Sequence, residues 1–174
     1  STMGFSTVDG LPMGTRSGAL DAGILEYLMD LKGFDIHQML NVLNKKSGVL
    51  GVSGVSSDFR DLDEAAAKGN ERAKLAIDMF TYKVSERIAA AAASMGGIDG
   101  VIFTAGVGEN SASLRAEIVQ DMEFMGIHLD PEKNKTRGKE AFISTDDSPV
   151  KIMVIPTNEE LVIAMDTAAL VAPA

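Results

Sequence analysis

Residues 100–111 read Gly-Val-Ile-Phe-Thr-Ala-Gly-Val-Gly-Glu-Asn-Ser, an apolar run that leads into a glycine-rich turn. The apolar part, residues 100–104, predicts a strand buried on both faces, which is the habit of a central strand in an α/β sheet. Residues 105–110 predict a tight turn, and residues 111–125 predict a helix. Glycines at such a junction let a ligand approach the backbone, and free helix N–H groups attract anions. Spacing alone leaves ligand binding and an ordinary strand–helix turn about equally open.

The rest of the chain predicts an α/β domain with a mixed or parallel sheet. A second buried strand is expected at 150–155 with a helix from Glu159, and Ile143 is expected in a short edge strand. Apolar periodicity predicts helices at 20–33, 35–45, 61–69 and 70–95, whereas glycines and serines predict a loop at 47–61. Three or four strands make a narrow sheet with open edges. We therefore expect that neighbouring strands are missing.

Composition excludes some function classes. The chain has 174 residues, with 16 Lys and Arg against 25 Asp and Glu and a net charge of −9. This balance argues against binding of nucleic acid or of anionic membranes, which surplus positive charge drives. A small anionic ligand stays possible because a few placed cations and backbone amides suffice to hold it. The sequence has no cysteine, no signal-like N-terminus and no uncharged run long enough for a membrane span. Together these features predict a cytoplasmic protein.

Two segments carry candidate binding residues. Arg16 lies between glycines, where a guanidinium fork suits phosphate or carboxylate. Asp58, Phe59 and Arg60 offer a carboxylate for ribose hydroxyls, an aromatic face for a base and a cation for phosphate. The simpler interpretation is that Arg16 and Arg60 are solvated, Asp58 caps a turn and Phe59 packs inward. From spacing alone, the simpler interpretation is favoured for both segments.

A third candidate is the segment from Pro156 to Leu161. Thr157 and Glu160 have the spacing of a capping box, which gives Glu160 a structural role. Glu159 then points elsewhere at the start of the helix, where its carboxylate suits Mg²⁺. The alternative is that both glutamates only favour the positive end of the helix.

Four segments together resemble the acetate kinase family: 3–18, 48–61, 103–111 and 154–161, in this order along the chain. The resemblance implies a ribonuclease-H-like, actin-like architecture, in which two domains enclose the active site and the C-terminal one has a mixed sheet flanked by helices. It also implies transfer of a phosphoryl group between ATP and acetate, giving ADP and acetyl phosphate, with Mg²⁺. Such a reaction needs positioning and charge neutralisation more than covalent help from the protein.

The resemblance also implies site residues. Arg16 corresponds to an arginine that stabilises the transition state, and Glu159 corresponds to a magnesium ligand. Asp58, Phe59 and Arg60 correspond to a segment that contacts the nucleotide. A further segment corresponds to the loop of the family's adenosine pocket: Gly106, Val107, Gly108, Glu109 and Asn110.

Members of the family are more than twice as long as this chain. The resemblance places residues 1–174 in the C-terminal, nucleotide-side domain, without its first strands and without the N-terminal part of the same protein. We expect the chain alone to be inactive, and the family's pairing predicts a homodimer. Two alternatives stay open: a propionate kinase of the same family, and a non-catalytic module that binds nucleotide or mediates dimerisation.

Overall fold

Residues 1–22 form turns and irregular backbone, and helices follow up to residue 95. A small mixed sheet with helices builds the part of the chain from residue 98. The structure is a computed structural model that describes residues 1–171. Its residue contacts divide the chain into two units, the first ending at Gly97 and the second beginning at Ile98. None of the helices within residues 1–171 combines the length and the apolar character needed to cross a bilayer.

The first unit contains five helices in its described residues: α1 (Gly23–Lys32), α2 (Ile36–Lys45), α3 (Gly48–Ser53), α4 (Phe59–Ala67) and α5 (Glu71–Met95). The predicted helices at 20–33, 35–45 and 70–95 are confirmed as α1, α2 and α5. Gly33 ends α1 in the left-handed conformation, with φ of 64°. The side chains and backbones of Asp35 and Gln38 form a capping box at the start of α2.

The predicted loop at 47–61 is wrong in part, because residues 48–53 form α3. Gly48 has φ of +61°, and an added Cβ would lie 2.1 Å from the carbonyl oxygen of Met13. The N–H of Val49 donates to that same carbonyl. The helix therefore forms against a distant segment of backbone that the local pattern does not reveal.

The predicted helix at 61–69 is confirmed as α4, but it begins two residues earlier than expected. Helix α4 begins at Phe59, and Asp58 rather than Asp61 is its N-cap. The carboxylate of Asp61 instead accepts a hydrogen bond from the hydroxyl of Ser56 at 2.7 Å. Helices α3 and α4 both pack on α5, and Val49 and Leu62 are fully buried there.

The second unit contains strands β1 (Gly100–Phe103), β2 (Ala141–Phe142) and β3 (Lys151–Val154) in the order β1-β3-β2. Strands β1 and β3 are parallel, and β2 is antiparallel to β3. This confirms a mixed sheet. The helices are α6 (Ala105–Asn110), α7 (Ala112–Val119) and α8 (Glu159–Val171), with 3₁₀ turns at Glu123–Met125 and Lys133–Lys135.

Three predictions for this unit need correction. In the described sheet β1 is an edge strand and β3 is central, and Ile102 is 57% exposed between the buried Val101 and Phe103. The expected turn at 105–110 is the short helix α6. The expected helix at 111–125 ends as α7 at Val119, and a 3₁₀ turn follows it. The apolar side chains of Leu114, Ile118 and Met122 are buried, whereas Met125 is only half-buried.

Candidate functional site

Arg16 lines a surface groove in the first unit. The groove encloses about 420 Å³, and it is lined by two cations and no acidic side chain: Thr15, Arg16, Leu40, Asn41, Asn44 and Lys45. The Arg16 guanidinium contacts the Met13 sulfur at 3.7 Å. Its backbone is fixed because the Arg16 carbonyl accepts from the N–H of Met13 at 3.0 Å. A groove of this charge suits a phosphate or carboxylate group.

The segment around Asp58 lies against the Arg16 segment. An added Cβ on Gly14 would be 3.1 Å from the carbonyl oxygen of Ser57. The Asp58 carboxylate accepts from the backbone N–H of Arg60 at 2.9 Å and from its guanidinium at 2.6 and 3.1 Å. The hydrogen bonds from Arg60 lower the pKa of Asp58 to about 2.

Phe59 has a packing role in this structure, since its ring lies 4.6 Å from the ring of Phe80. The Arg60 side chain is exposed and its cation is directed at Asp58. These contacts match the simpler interpretation of the segment. They also leave the Arg60 guanidinium accessible to an anion that would compete with Asp58.

In the second unit, helix α6 follows directly from the carboxyl end of β1. Ala105 has φ of +58°, an unusual conformation for a residue with a side chain. The Asn110 amide donates to the carbonyl of Gly106 at 2.9 Å, and the N–H of Ser111 donates to the carbonyl of Val107 at 3.0 Å. The predicted adenosine loop is thus one ordered turn, at the strand ends where α/β sheets bind ligands.

A hydrogen-bonded bridge joins this loop to the segment that follows β3. One carboxylate oxygen of Glu109 accepts from the N–H of Thr157 at 2.8 Å and from its hydroxyl at 3.1 Å. The backbone hydrogen bond from Thr157 is the main reason that the pKa of Glu109 is lowered. The structure therefore brings the loop residues together with the 156–159 segment, as expected from parallel strands whose carboxyl ends share one edge.

The predicted capping box between Thr157 and Glu160 is wrong, because the Thr157 hydroxyl is engaged with Glu109. Asn158 caps α8 instead, and its side chain accepts from the N–H of Leu161 at 3.0 Å. Glu159 is exposed at the first position of α8. Its carboxylate is at the helix end that attracts negative charge.

Clustered oxygen donors for Mg²⁺ are sparse in the described residues. Within residues 1–171 no three His, Cys, Asp or Glu side chains are grouped so that they could hold a metal ion. Mg²⁺ often uses only one or two carboxylates, with substrate phosphates and waters as the other ligands. Exposed Glu159 fits such a single-carboxylate role.

The sequence interpretation missed Arg115, a charged residue in α7 that is only 1% exposed. Its Nη1 donates to the carbonyl of Gly108 in the loop at 2.8 Å. A signal was available, since Arg115 lies three and four residues before the buried Ile118 and Val119 and so shares their helix face.

Comparison with known proteins shows relatives that match nearly the whole chain. The model of the acetokinase family matches residues 1–165. The acetate kinase of Caldanaerobacter subterraneus subsp. tengcongensis is 55% identical over 172 residues, which are 98% of this chain and 43% of that protein. The chain thus spans less than half the length of the curated relatives it matches.

Solved structures likewise match nearly the whole chain with less than half of their own length. The acetate kinase of Porphyromonas gingivalis superimposes with a TM-score of 0.93 at 49% identity, over 97% of this chain and 42% of that one. A propionate kinase from Francisella tularensis subsp. tularensis SCHU S4 gives a TM-score of 0.87 at 41% identity, over 95% of this chain and 42% of that one. The chain belongs to the acetokinase family.

Proposed function

We propose that this chain supplies the nucleotide side of an ATP:acetate phosphotransferase. The whole enzyme would transfer the γ-phosphoryl group of ATP to a carboxylate oxygen of acetate, giving ADP and acetyl phosphate, or run the reverse reaction. It would act in the cytoplasm, the reducing compartment that the absence of cysteine favours. The missing N-terminal part of the protein would complete the active site.

The observation that carries this proposal is the geometry of the loop 105–110. The loop lies at the carboxyl end of β1 and is tied to Thr157 after β3, so its backbone is ordered before any ligand arrives. Among the described residues, no atom outside the chain neighbours and the backbone of α6 lies within 4 Å of an added Cβ on Gly106, which leaves that side of the loop open. An ordered, open glycine backbone at the strand ends suits the flat face of adenosine.

The other site residues fit the charge needs of phosphoryl transfer. Arg16 would neutralise charge that develops on the transferred group, a role worth about 10³–10⁵ in rate for comparable arginines. Asp58, Phe59 and Arg60 would form the second nucleotide contact, with Arg60 leaving Asp58 for a phosphate or ribose group. Glu159 would hold Mg²⁺, which supplies charge neutralisation at the phosphates.

A propionate kinase is a second candidate, favoured by the superposition on the Francisella propionate kinase. Acetate and propionate differ by one methylene, which a hydrophobic pocket distinguishes by only about 1–3 kcal/mol. Comparing the two acids as substrates of the full-length parent would separate the two candidates. A homodimer, expected from the resemblance, stays a prediction that sedimentation equilibrium would test.

Calorimetric titration of the 174-residue chain with ADP tests the nucleotide site. We expect saturable binding by the native chain and weaker binding by Arg60→Ala. Lys68→Ala is the matched control, because Lys68 is an exposed cation in the residue after α4 and pairs only with Glu64 among the ion pairs described. Unchanged affinity in Arg60→Ala would remove Arg60 from the proposed nucleotide contact.

An activity measurement tests whether the chain is inactive without the missing N-terminal part. The chain alone should form no acetyl phosphate from ATP and acetate, because the remaining catalytic groups would come from the missing part. Measurable acetyl phosphate formation by the purified chain would contradict this proposal.

A further inference from the structure

Arg115 is a buried cation whose described hydrogen bonds all go to neutral oxygens. Its Nε and Nη2 donate to the side-chain and backbone oxygens of Asn134 at 2.8 and 2.7 Å. Nη2 also donates to the carbonyl of Thr136 at 2.8 Å, and Nη1 donates to the carbonyl of Gly108 at 2.8 Å. Burial lowers the pKa of Arg115, although a guanidinium stays charged at neutral pH.

Burying a charge without an opposite charge is costly unless hydrogen bonds compensate. The planar guanidinium has five N–H donors in a fixed geometry, so it can hold several carbonyls at once in one arrangement. An apolar side chain would fill the same space without the desolvation cost. What the guanidinium adds is therefore the fixed placement of the carbonyls that it binds.

Those carbonyls belong to two segments that meet at the back of the loop. The 134–138 segment also contacts the loop directly, since the N–H of Gly138 donates to the carbonyl of Glu109 at 3.2 Å. The side-chain amide of Asn134 donates to the carbonyl of Ala112 at 2.8 Å, next to the loop. Arg115 is the central member of this network because it binds the loop and the 134–136 segment at the same time.

The loop has an open side and a fixed side. Gly106 faces open space, whereas the carbonyl of Gly108 is turned inward to Arg115. If the Gly108 carbonyl were free to rotate, the short helix α6 would lose its hydrogen bond to a buried side chain and would keep only those that Glu109 makes. Helix α6 has six residues and none is buried, so its conformation depends mainly on hydrogen bonds, of which those at Gly108 and Glu109 are two.

We propose that Arg115 is a positioning residue for nucleotide binding, which fixes the loop 105–110 by holding the Gly108 carbonyl inward. This inference rests on the proposed function of that loop. Arg115 touches no ligand in this scheme. It acts through the backbone, by keeping the open face of Gly106 in the conformation that receives adenosine.

The test compares Arg115→Met, which keeps the length but removes the charge and the donors, with Arg115→Lys, which keeps the charge. The readouts are the Kd for ADP by calorimetry, the hydrogen exchange of amides 105–111 and the melting temperature. We expect Arg115→Met to raise the Kd roughly tenfold, equivalent to about 1.4 kcal/mol. Loop amides should exchange faster relative to those of β1 and β3, and Arg115→Lys should restore part of the affinity.

Two controls separate positioning from general destabilisation. Val119→Ala makes a cavity in the same helix without touching the Gly108 carbonyl, so it should lower the melting temperature and leave the Kd unchanged. Arg137→Met removes an exposed cation next to Gly138, the residue whose N–H donates to the Glu109 carbonyl, and should change neither quantity.

Unchanged Kd and unchanged loop exchange in Arg115→Met would overturn the proposal, as would an equal loss of ADP affinity in Val119→Ala. If Arg115→Met does not fold, the same measurements on Arg115→Lys decide the matter. If the native chain binds no ADP, the proposed function fails. Loop exchange in Arg115→Met then still decides whether Arg115 fixes the loop.

Discussion

Gly106 and Gly108 lie two residues apart in α6, yet an alanine at each would meet different surroundings. A Cβ on Gly106 would have no atom of residues 1–171 within 4 Å, apart from its chain neighbours and the backbone of its own helix. A Cβ on Gly108 would lie 3.2 Å from the carbonyl carbon of Phe103 and 3.4 Å from its Cα, which are backbone atoms at the end of β1. Neither glycine is among the residues with positive φ. The fold therefore has a steric reason for glycine at 108 and none at 106.

Gly106→Ala should leave the fold intact and stabilise it by up to about 1 kcal/mol, the usual advantage of alanine over glycine in a helix. The same methyl group should weaken ADP binding, because it enters the space that we assign to the nucleotide. A methyl group forced into a close-packed contact costs about 1–3 kcal/mol. That corresponds to a Kd about 5–150-fold higher.

Gly108→Ala is the matched comparison and should lower the melting temperature, because backbone at the end of β1 must move. The assay measures thermal unfolding and calorimetric ADP binding for both variants and the native chain. Weaker binding by Gly106→Ala at unchanged or higher stability would support a ligand on the open face of the loop. Unchanged ADP affinity in Gly106→Ala would refute the placement of the nucleotide there.

Three further predictions concern caps and carboxylates. Asn70→Ala should destabilise the chain by about 1 kcal/mol in urea unfolding through loss of the α5 N-cap, whereas Asn70→Asp should preserve most of the stability. Arg60→Ala should raise the pKa of Asp58 from about 2 toward its ordinary 3.8, as measured by NMR titration. Because the pKa of Asp58 is lower in the folded chain than in the unfolded chain, the native pair with Arg60 stabilises the fold above pH 3.8. This stabilisation is lost as the pH falls toward 2. Thr157→Val should bring the pKa of Glu109 only part of the way back to its ordinary value, since the backbone N–H of residue 157 still donates to the carboxylate. An unchanged pKa would show that the Thr157 hydroxyl does not contribute to lowering it.

Local patterns sufficed where local forces decide the structure. The apolar stripe of residues 70–95 and the glycine at 33 predicted α5 and the end of α1 correctly, since periodicity and left-handed glycine act within one or two turns. The apolar runs at 100–104 and 150–155 likewise located β1 and β3. Continuous apolarity wrongly predicted burial of both faces, and Ile102 is exposed in the described sheet.

Distant partners account for the errors. Thr157 has the spacing for a capping box, but its hydroxyl donates instead to the carboxylate of Glu109, 48 residues earlier in the chain. Residues 48–53 lack a helical stripe, and α3 forms because the backbone of 13–16 supplies acceptors for its first N–H groups. Arg115 meets Asn134 across 19 residues of sequence, so its role could not be derived from its neighbours alone.

The central claim is that the loop 105–110 receives a nucleotide. A titration of the ¹⁵N-labelled chain with ADP, followed through the backbone amide signals in NMR spectra, tests it most directly. We predict concentration-dependent shifts of the amides from Ala105 to Ser111, larger than those of α7 and β2, and weaker saturation in Gly106→Ala. Absence of shifts in this loop at millimolar ADP, or shifts confined to other parts of the chain, would contradict the account.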